Sequence, residues 1–206
     1  MLQNRVDPFG HLIKTTARGS MMGNRGVIHN ANREIVRPFK LKAWITCRLQ
    51  FKGKHRVVMT PDRWTELFFL DEATAFAAGH RPCAECRRGD FTRFKLSWIK
   101  GNPEHNFTAK TSITAIDEIL HRERLDANKS KNTFDENADT IPDGVFVTIN
   151  NKAWLVANRL LFLWSPFGYT ESIAMPASGT VTVLTPKSVV NTFRAGYLPG
   201  FSISEK

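Results

Sequence analysis

The stretch LFFLDEATAFAAGHRPCAEC, residues 67–86, carries the clearest structural signals in this chain. ELFFL at 66–70 is a short apolar run typical of a buried strand. Asp71 is a helix-capping residue, the alanines after it favour helix, and Gly79 suits the position just beyond a helix end. A second helix is expected to begin near Pro82, since proline is favoured in a first helical turn. The stretch therefore predicts a strand and two helices, with two cysteines where the second helix begins.

Those two cysteines, Cys83 and Cys86, have the spacing of half a tetrahedral zinc site. Cys47 is the only other cysteine, and an odd number of thiols argues against a disulfide framework. The pattern favours Zn²⁺ held by three thiolates and a fourth ligand from His, Asp or Glu. Three buried thiols without a metal are one alternative. A redox dithiol is another, although no thioredoxin-like βαβ pattern precedes the pair.

A predicted β-hairpin supplies the remaining ligands. KAWITCRLQF at 42–51 alternates and is rich in β-formers, and HRVVM at 55–59 is typical of a return strand after a short turn. Such a hairpin would bring Cys47 and His55 together toward the CAEC turn, which makes His55 the best candidate for the fourth ligand. A hairpin and a helix start that share one metal form a treble-clef-like arrangement. The competing candidates for the fourth ligand are His29 and His80.

The run at 67–86 resembles the end of the metal-binding domain of the Ada-type DNA alkylation-repair proteins. That family has a strand, an alanine-rich helix, Ala-Ala-Gly, an aromatic residue, Arg-Pro-Cys, two variable residues and a further Cys. His80 stands in the aromatic position. The likeness extends more weakly over residues 40–95. It implies a zinc ion bound by Cys47, His55, Cys83 and Cys86.

In the Ada family one upstream zinc-bound cysteine accepts a methyl group from a DNA phosphotriester, which makes Cys47 a candidate nucleophile. With His55 in place of a thiolate the metal is less electron-rich, and this should blunt the reactivity of Cys47. The helix-turn-helix pair and the alkyltransferase signature that usually follow are not recognisable here. The resemblance therefore implies a zinc-stabilised basic module more directly than it implies methyl transfer.

Positive charge is concentrated in the half of the chain that contains the cysteines. Residues 1–100 hold 19 Lys+Arg against 8 Asp+Glu, a net of +11, whereas residues 101–206 hold 10 against 11, a net of −1. Such asymmetry indicates a polyanionic partner, and we expect nucleic acid, with DNA favoured over RNA. The candidate phosphate contacts are Arg25, Arg81, Arg87 and Arg88.

An enzyme that acts on DNA or RNA, either a nuclease or a repair activity, is the alternative function. His121 and Glu123 are the most suggestive acid/base pair, and Cys47 is the third catalytic candidate. His-x-Glu together with Pro-Cys-x-x-Cys also occurs in zinc deaminases, but here the order of the two motifs is reversed. A protein-interaction module without nucleic acid is the second alternative.

The remaining pattern predicts an α+β protein. Residues 1–40 are expected to form a mostly irregular basic arm, 111–131 an amphipathic helix, 132–144 a polar loop and 186–196 a short helix. Three apolar segments predict an antiparallel, β-rich C-terminal half: VFVTIN, AWLVANRLLFLW and TVTVLT. We expect a zinc-bearing region over 1–100 and a helix-plus-β region over 101–206, packed as one unit.

No apolar run reaches the length of a membrane span, and the first residues lack the apolar core of a secretory signal. We therefore expect a soluble, cytoplasmic protein.

Overall fold

The computed structural model describes residues 1–53 and 57–203, which form two mostly antiparallel sheets and four α-helices. This confirms the prediction of an α+β fold. Within these residues no helix combines the length and apolar character needed to cross a bilayer.

The first sheet is built from short, non-consecutive strands of the N-terminal half. Its order is β2-β1-β5-β3-β4-β6, with parallel pairing only at β1–β5 and β4–β6. The strands are β1 Gln3–Val6, β2 Leu12–Lys14, β3 Met21–Asn24, β4 Ile45–Cys47, β5 Leu67–Phe69 and β6 Arg81–Pro82. The mostly irregular arm expected over 1–40 contains three short strands, β1, β2 and β3, which all lie in this sheet.

The predicted hairpin is also not what holds Cys47. The strand at 42–51 is reduced to β4, which pairs with β3 on one side and with β6 on the other. Residues 57–59 of the expected return strand form no strand, and residues 54–56 lie outside the described part. Cys47 is therefore positioned by partners distant in sequence.

The second sheet is an antiparallel array from the C-terminal half, in the order β11-β10-β9-β8-β12-β7. Asn150 and Asn151 between β8 and β9, and Asn158 and Arg159 between β9 and β10, all have positive φ, as two-residue hairpin turns require. Its strands are β7 Phe134–Asn137, β8 Phe146–Ile149, β9 Lys152–Ala157, β10 Leu160–Ser165, β11 Gly168–Ala174 and β12 Thr180–Val183. The expectation of a loop over 132–144 missed β7, which pairs with β12.

Four helices pack around these sheets: α1 Glu72–Ala77, α2 Arg88–Gly101, α3 Ile113–Arg124 and α4 Lys187–Arg194. Asp71 caps α1 by accepting a hydrogen bond from the backbone N–H of Thr74 at 2.8 Å, as predicted. Gly79 follows the end of α1 with φ +84°, which confirms the predicted stop. Helix α2 begins at Arg88 rather than near Pro82, because the residues between them form the turn that carries Cys83 and Cys86.

The largest apolar cluster crosses the predicted boundary at residue 100. It joins Phe76, Phe94 and Trp98 of α1 and α2 to Val147 and Val156 of the second sheet. Burial of these side chains stabilises the two halves against each other.

Helices α2 and α4 approach each other closely at Gly101. A Cβ atom at this residue would lie 2.3 Å from the backbone oxygen of Asn191, whereas one at Gly89 in the same helix would meet nothing within 4 Å. We expect Gly101→Ala to lower the free energy of unfolding by about 1–3 kcal/mol through overpacking. Gly89→Ala should leave it unchanged or raise it by up to about 1 kcal/mol. Urea denaturation of both variants checks this, and equal effects would contradict the close approach.

Candidate metal centre

Three cysteine sulfurs converge where the first sheet meets α2. Cys47 ends β4, Cys83 follows β6, and Cys86 lies in the turn before α2. The parallel β4–β6 pairing is extended by a 2.9 Å hydrogen bond from the backbone N–H of Cys83 to the carbonyl oxygen of Thr46. All three side chains are buried, and their Sγ atoms lie within 4.8 Å of one another.

Hydrogen bonds within this cluster favour a thiolate at Cys83. The N–H of Glu85 donates to Sγ of Cys83 at 3.4 Å. Cys47 also donates to the Cys83 sulfur, which lowers the pKa of Cys83 to about 5 and raises the pKa of Cys47 above its usual range. Burial raises the pKa of Cys86. A thiolate at one cysteine therefore makes thiolates at the other two less favourable. A bound cation would stabilise all three thiolates together.

The spacing of the sulfurs fits one metal ion. In a tetrahedral site with Zn–S bonds of about 2.3 Å, sulfur atoms are about 3.8 Å apart, inside the observed limit. Buried thiolates are soft ligands that select zinc, iron or copper(I) over magnesium and calcium. Three of the four predicted ligands thus lie together and can hold a metal ion.

The fourth predicted ligand, His55, lies outside the described residues. The two competing histidines are engaged elsewhere. His29 pairs through Nδ1 with Oγ1 of Thr65 at 2.6 Å, and Nε2 of His80 accepts a hydrogen bond from Nε of Arg25 at 3.2 Å. Neither belongs to the described group of clustered ligands. A cavity of about 310 Å³ opens beside the three sulfurs, and the exposed residue Glu85 is part of its lining.

Two of the four arginines predicted to contact phosphate are paired with carboxylates inside the protein. Arg81 donates from Nε and Nη2 to both carboxylate oxygens of Asp117, each at 2.7 Å, and both residues are buried. Arg87 is buried against Glu72 and also binds Asp90 at 2.8 Å. Because the charges of Arg81 and Arg87 are balanced inside the protein, neither arginine is part of the proposed phosphate-binding surface.

The other two predicted arginines have different environments. Arg88 is exposed and has no ion pair within the described residues. Arg25 is only 2% exposed and lies over the ring of Trp44, away from the three sulfurs.

The candidate acid/base pair on α3 is not assembled into one site. The carboxylate of Glu123 accepts hydrogen bonds from the backbone N–H of Ser188 at 3.1 Å and from its hydroxyl at 2.6 Å, at the start of α4. Burial raises the pKa of Glu123. The ring of His121 packs edge-on against Phe39 at 4.9 Å, and burial lowers the pKa of His121. The two side chains thus bind different neighbours. Cys47, the third candidate, is one of the clustered thiols.

Sequence reasoning overlooked Arg48, which directly follows Cys47, is exposed and lines the cavity beside the sulfurs. Its position directly after the predicted ligand Cys47 could have identified Arg48 from the sequence as a residue of this site. It also overlooked Arg124, which is 1% exposed and lies over the ring of Trp44. An arginine in an amphipathic helix is normally solvated, so the sequence carried no signal for that burial.

Comparison with protein-family models, with curated proteins and with solved structures finds no match to this chain. Its function is therefore inferred from its own side chains.

Proposed function

We propose that this chain is a zinc-stabilised nucleic-acid-binding protein that contacts DNA phosphates beside its cysteine cluster. The observation that carries the proposal is the convergence of Cys47, Cys83 and Cys86 next to two exposed arginines. Arg48 is adjacent to Cys47, and Arg88 lies two residues after Cys86; neither has an ion pair within the described part of the chain. Cations without an acidic partner on a rigid frame suit phosphate contacts that position a duplex without reading its bases.

Zinc is the proposed ion, because three thiolates and one imidazole form one of the common structural zinc sites. His55 is the proposed fourth ligand. In this proposal residues 40–95 form an Ada-like module in which β4, β6 and the turn before α2 present the cysteines. The metal would hold together short strands that have few hydrogen bonds of their own.

The charge of the N-terminal half supports the same surface. Residues 1–100 have a net charge of +11, but Arg81 and Arg87 are buried in ion pairs and do not add positive charge to the surface. The same ion pairs also keep carboxylates away from the surface. Many of the remaining basic residues of this half are exposed, among them Arg18, Arg33, Arg37, Lys40, Arg63 and Lys100. The surface potential thus stays positive and would accelerate encounter with a polyanion.

Salt-dependent binding to a duplex tests the proposal. We expect log Kd for a short DNA duplex to rise linearly with log salt concentration. The slope should become shallower by about 1 for each phosphate contact removed, and so by about 2 in the double variant Arg48→Ala/Arg88→Ala. Arg122→Ala is the matched control, since Arg122 is an exposed arginine of the near-neutral half. Fluorescence anisotropy measures all three proteins.

Equal slopes for wild type and the double variant would show that Arg48 and Arg88 do not contact phosphate. Absence of salt-dependent binding in the wild type would favour the interaction-module alternative. The catalytic alternative is supported by no specific observation in the described residues, because Glu123 caps α4 and His121 packs on Phe39.

A further inference from the structure

A second cavity, of about 440 Å³, shares no lining residue with the cavity beside the cysteines. It lies between the β1–β2 turn, Arg25 and the segment 124–131 that follows α3. Four lysine and arginine side chains line it: Arg25 and Arg124, which are buried, Lys131, and the exposed Lys129. The name cationic cavity is used below for this space.

Hydrogen bonds hold both arginines in place and leave the buried Nη2 atom of each without a partner within the described residues. Arg25 donates from Nε to Nε2 of His80 at 3.2 Å. Arg124 donates from Nε to the carbonyl oxygen of Leu120 at 2.9 Å and from Nη1 to that of Lys42 at 3.1 Å. The Nη2 atoms of Arg25 and Arg124 are buried and have no hydrogen-bond partner within the described residues.

The unpartnered Nη2 atom of Arg25 lies close to Gly10, a residue of the cavity lining. A Cβ atom built at Gly10, which lines the cavity, would lie 3.7 Å from Nη2 of Arg25. The guanidinium groups of Arg25 and Arg124 lie 3.9 Å and 4.5 Å from the centre of the Trp44 ring. Hydrogen bonds and the indole ring thus fix both forks before any ligand arrives, which lowers the entropy cost of binding.

Within the described residues Arg25, Arg124 and Lys131 have no ion pair, although the ammonium of Lys131 donates to the carbonyl oxygen of Ala77. Burial lowers the pKa of Arg25 and of Arg124 to about 9, and that of Lys131 to about 7. Asp7 is the carboxylate that raises the pKa of both Arg25 and Lys131, and it already binds His11 through a hydrogen bond to the backbone N–H at 2.9 Å. Asp117 and Glu123 raise the pKa of Arg124 in the same way, but Asp117 is bound by Arg81 and Glu123 by Ser188. An unpaired buried cation is costly, so two buried guanidinium groups with unpartnered donors indicate a site that favours an anion.

We infer that the cationic cavity binds the phosphate group of a small phosphomonoester through the free Nη2 donors of Arg25 and Arg124 and the ammonium of Lys131. A phosphate group supplies negative charge to this cationic lining, and arginine forks suit phosphate oxygens. The volume lies in the range of about 300–1,000 Å³ typical of small-molecule sites. Phe9 and His11, stacked at 5.9 Å, and apolar side chains such as Leu12 complete the lining and suit an organic group attached to the phosphate.

Calorimetric titration of the full chain with inorganic phosphate, adenosine monophosphate and adenosine at constant ionic strength tests this inference. We expect saturable binding of the first two, with the nucleotide tighter, and none of adenosine. Lys131→Met should weaken binding of both anions at least tenfold, whereas Lys110→Met, an exposed lysine, should leave it unchanged. Failure of the wild type to bind either anion, or unchanged binding by Lys131→Met, would overturn the inference. If phosphate bound as tightly as the nucleotide, the inference that the cavity also recognises an organic group would be wrong.

Thermal unfolding measures phosphate binding in a second way and also shows whether each variant is folded. Phosphate should raise the Tm of the wild type in proportion to the logarithm of its concentration, and should not raise that of Lys131→Met. Arg25→Lys keeps the charge but loses the fork, so it provides a second variant with the same expected loss of the Tm shift. The duplex-binding arginines Arg48 and Arg88 lie outside this cavity, so the outcome is separate from that of the nucleic-acid proposal.

Discussion

Cys83→Ser is expected to abolish metal binding and to destabilise the protein more than any surface substitution. Serine replaces a thiolate with a hydroxyl that stays protonated and binds zinc poorly, which leaves two sulfurs. Structural zinc contributes directly to folding, so we expect a loss of at least about 4 kcal/mol. For a chain of this length that corresponds to a fall in Tm of about 8–16 °C. Elemental analysis should find about one zinc per wild-type chain and almost none in the variant.

Glu85→Gln is the matched control for this experiment, because Glu85 is exposed and stands between the two cysteines of the turn. Its backbone N–H, which the substitution keeps, is the group that reaches Cys83. We expect this variant to retain zinc. A chelator added to the wild type should lower its Tm as Cys83→Ser does. His55→Ala, analysed beside them, decides the fourth ligand. A metal-free wild type whose Tm is unchanged by Cys83→Ser would show that the thiols are merely buried.

Features encoded within a few residues were predictable. The cap at Asp71 and the stop at Gly79 depend only on the local chain, and both are confirmed. The pairing of Cys83 with Cys86 in one turn is equally local. Cys47 was assigned to the cluster because the chain offers no other thiol, and its sulfur does lie there.

Features that depend on distant partners were missed. Strand β1 has the polar sequence QNRV; it pairs with β2 and is joined to the rest of the sheet by β5, where Arg5 lies opposite Phe68. Cys47 meets Cys83 through the parallel β4–β6 pair rather than through a hairpin, and a parallel pair leaves no turn signature in the sequence.

Burial of arginine was the largest error of sequence reasoning. Arg81 and Arg87 stand beside the cysteines and were interpreted as surface contacts, since arginine is rarely buried unless it is paired. Their partners, Asp117 and Glu72, are 36 and 15 residues away in sequence. Nothing local distinguishes such an arginine from a solvated one.

Asp117→Asn is expected to lower the free energy of unfolding by about 3–5 kcal/mol, because it leaves the guanidinium of Arg81 buried without a counter-charge. Both residues are buried, and the pair joins β6, next to the metal centre, to α3. Glu118→Gln is the matched control. Glu118 is the next residue of the same helix and binds Lys42 at 2.7 Å, but in solvent, so its loss should have almost no effect. Urea denaturation measures both variants.

Removal of both partners separates the ion pair from the rest of the interface. In Arg81→Met/Asp117→Leu no charge is left unpaired, so we expect most of the stability lost in Asp117→Asn to return. These variants also test the sequence-based prediction that Arg81 contacts phosphate. If Arg81 contacted phosphate rather than Asp117, Asp117→Asn would leave stability unchanged and Arg81→Met would weaken duplex binding with a shallower salt slope. We expect the opposite, a large loss of stability with the slope per bound duplex unchanged, because Arg81 is buried in a bidentate pair and a DNA phosphate cannot reach it.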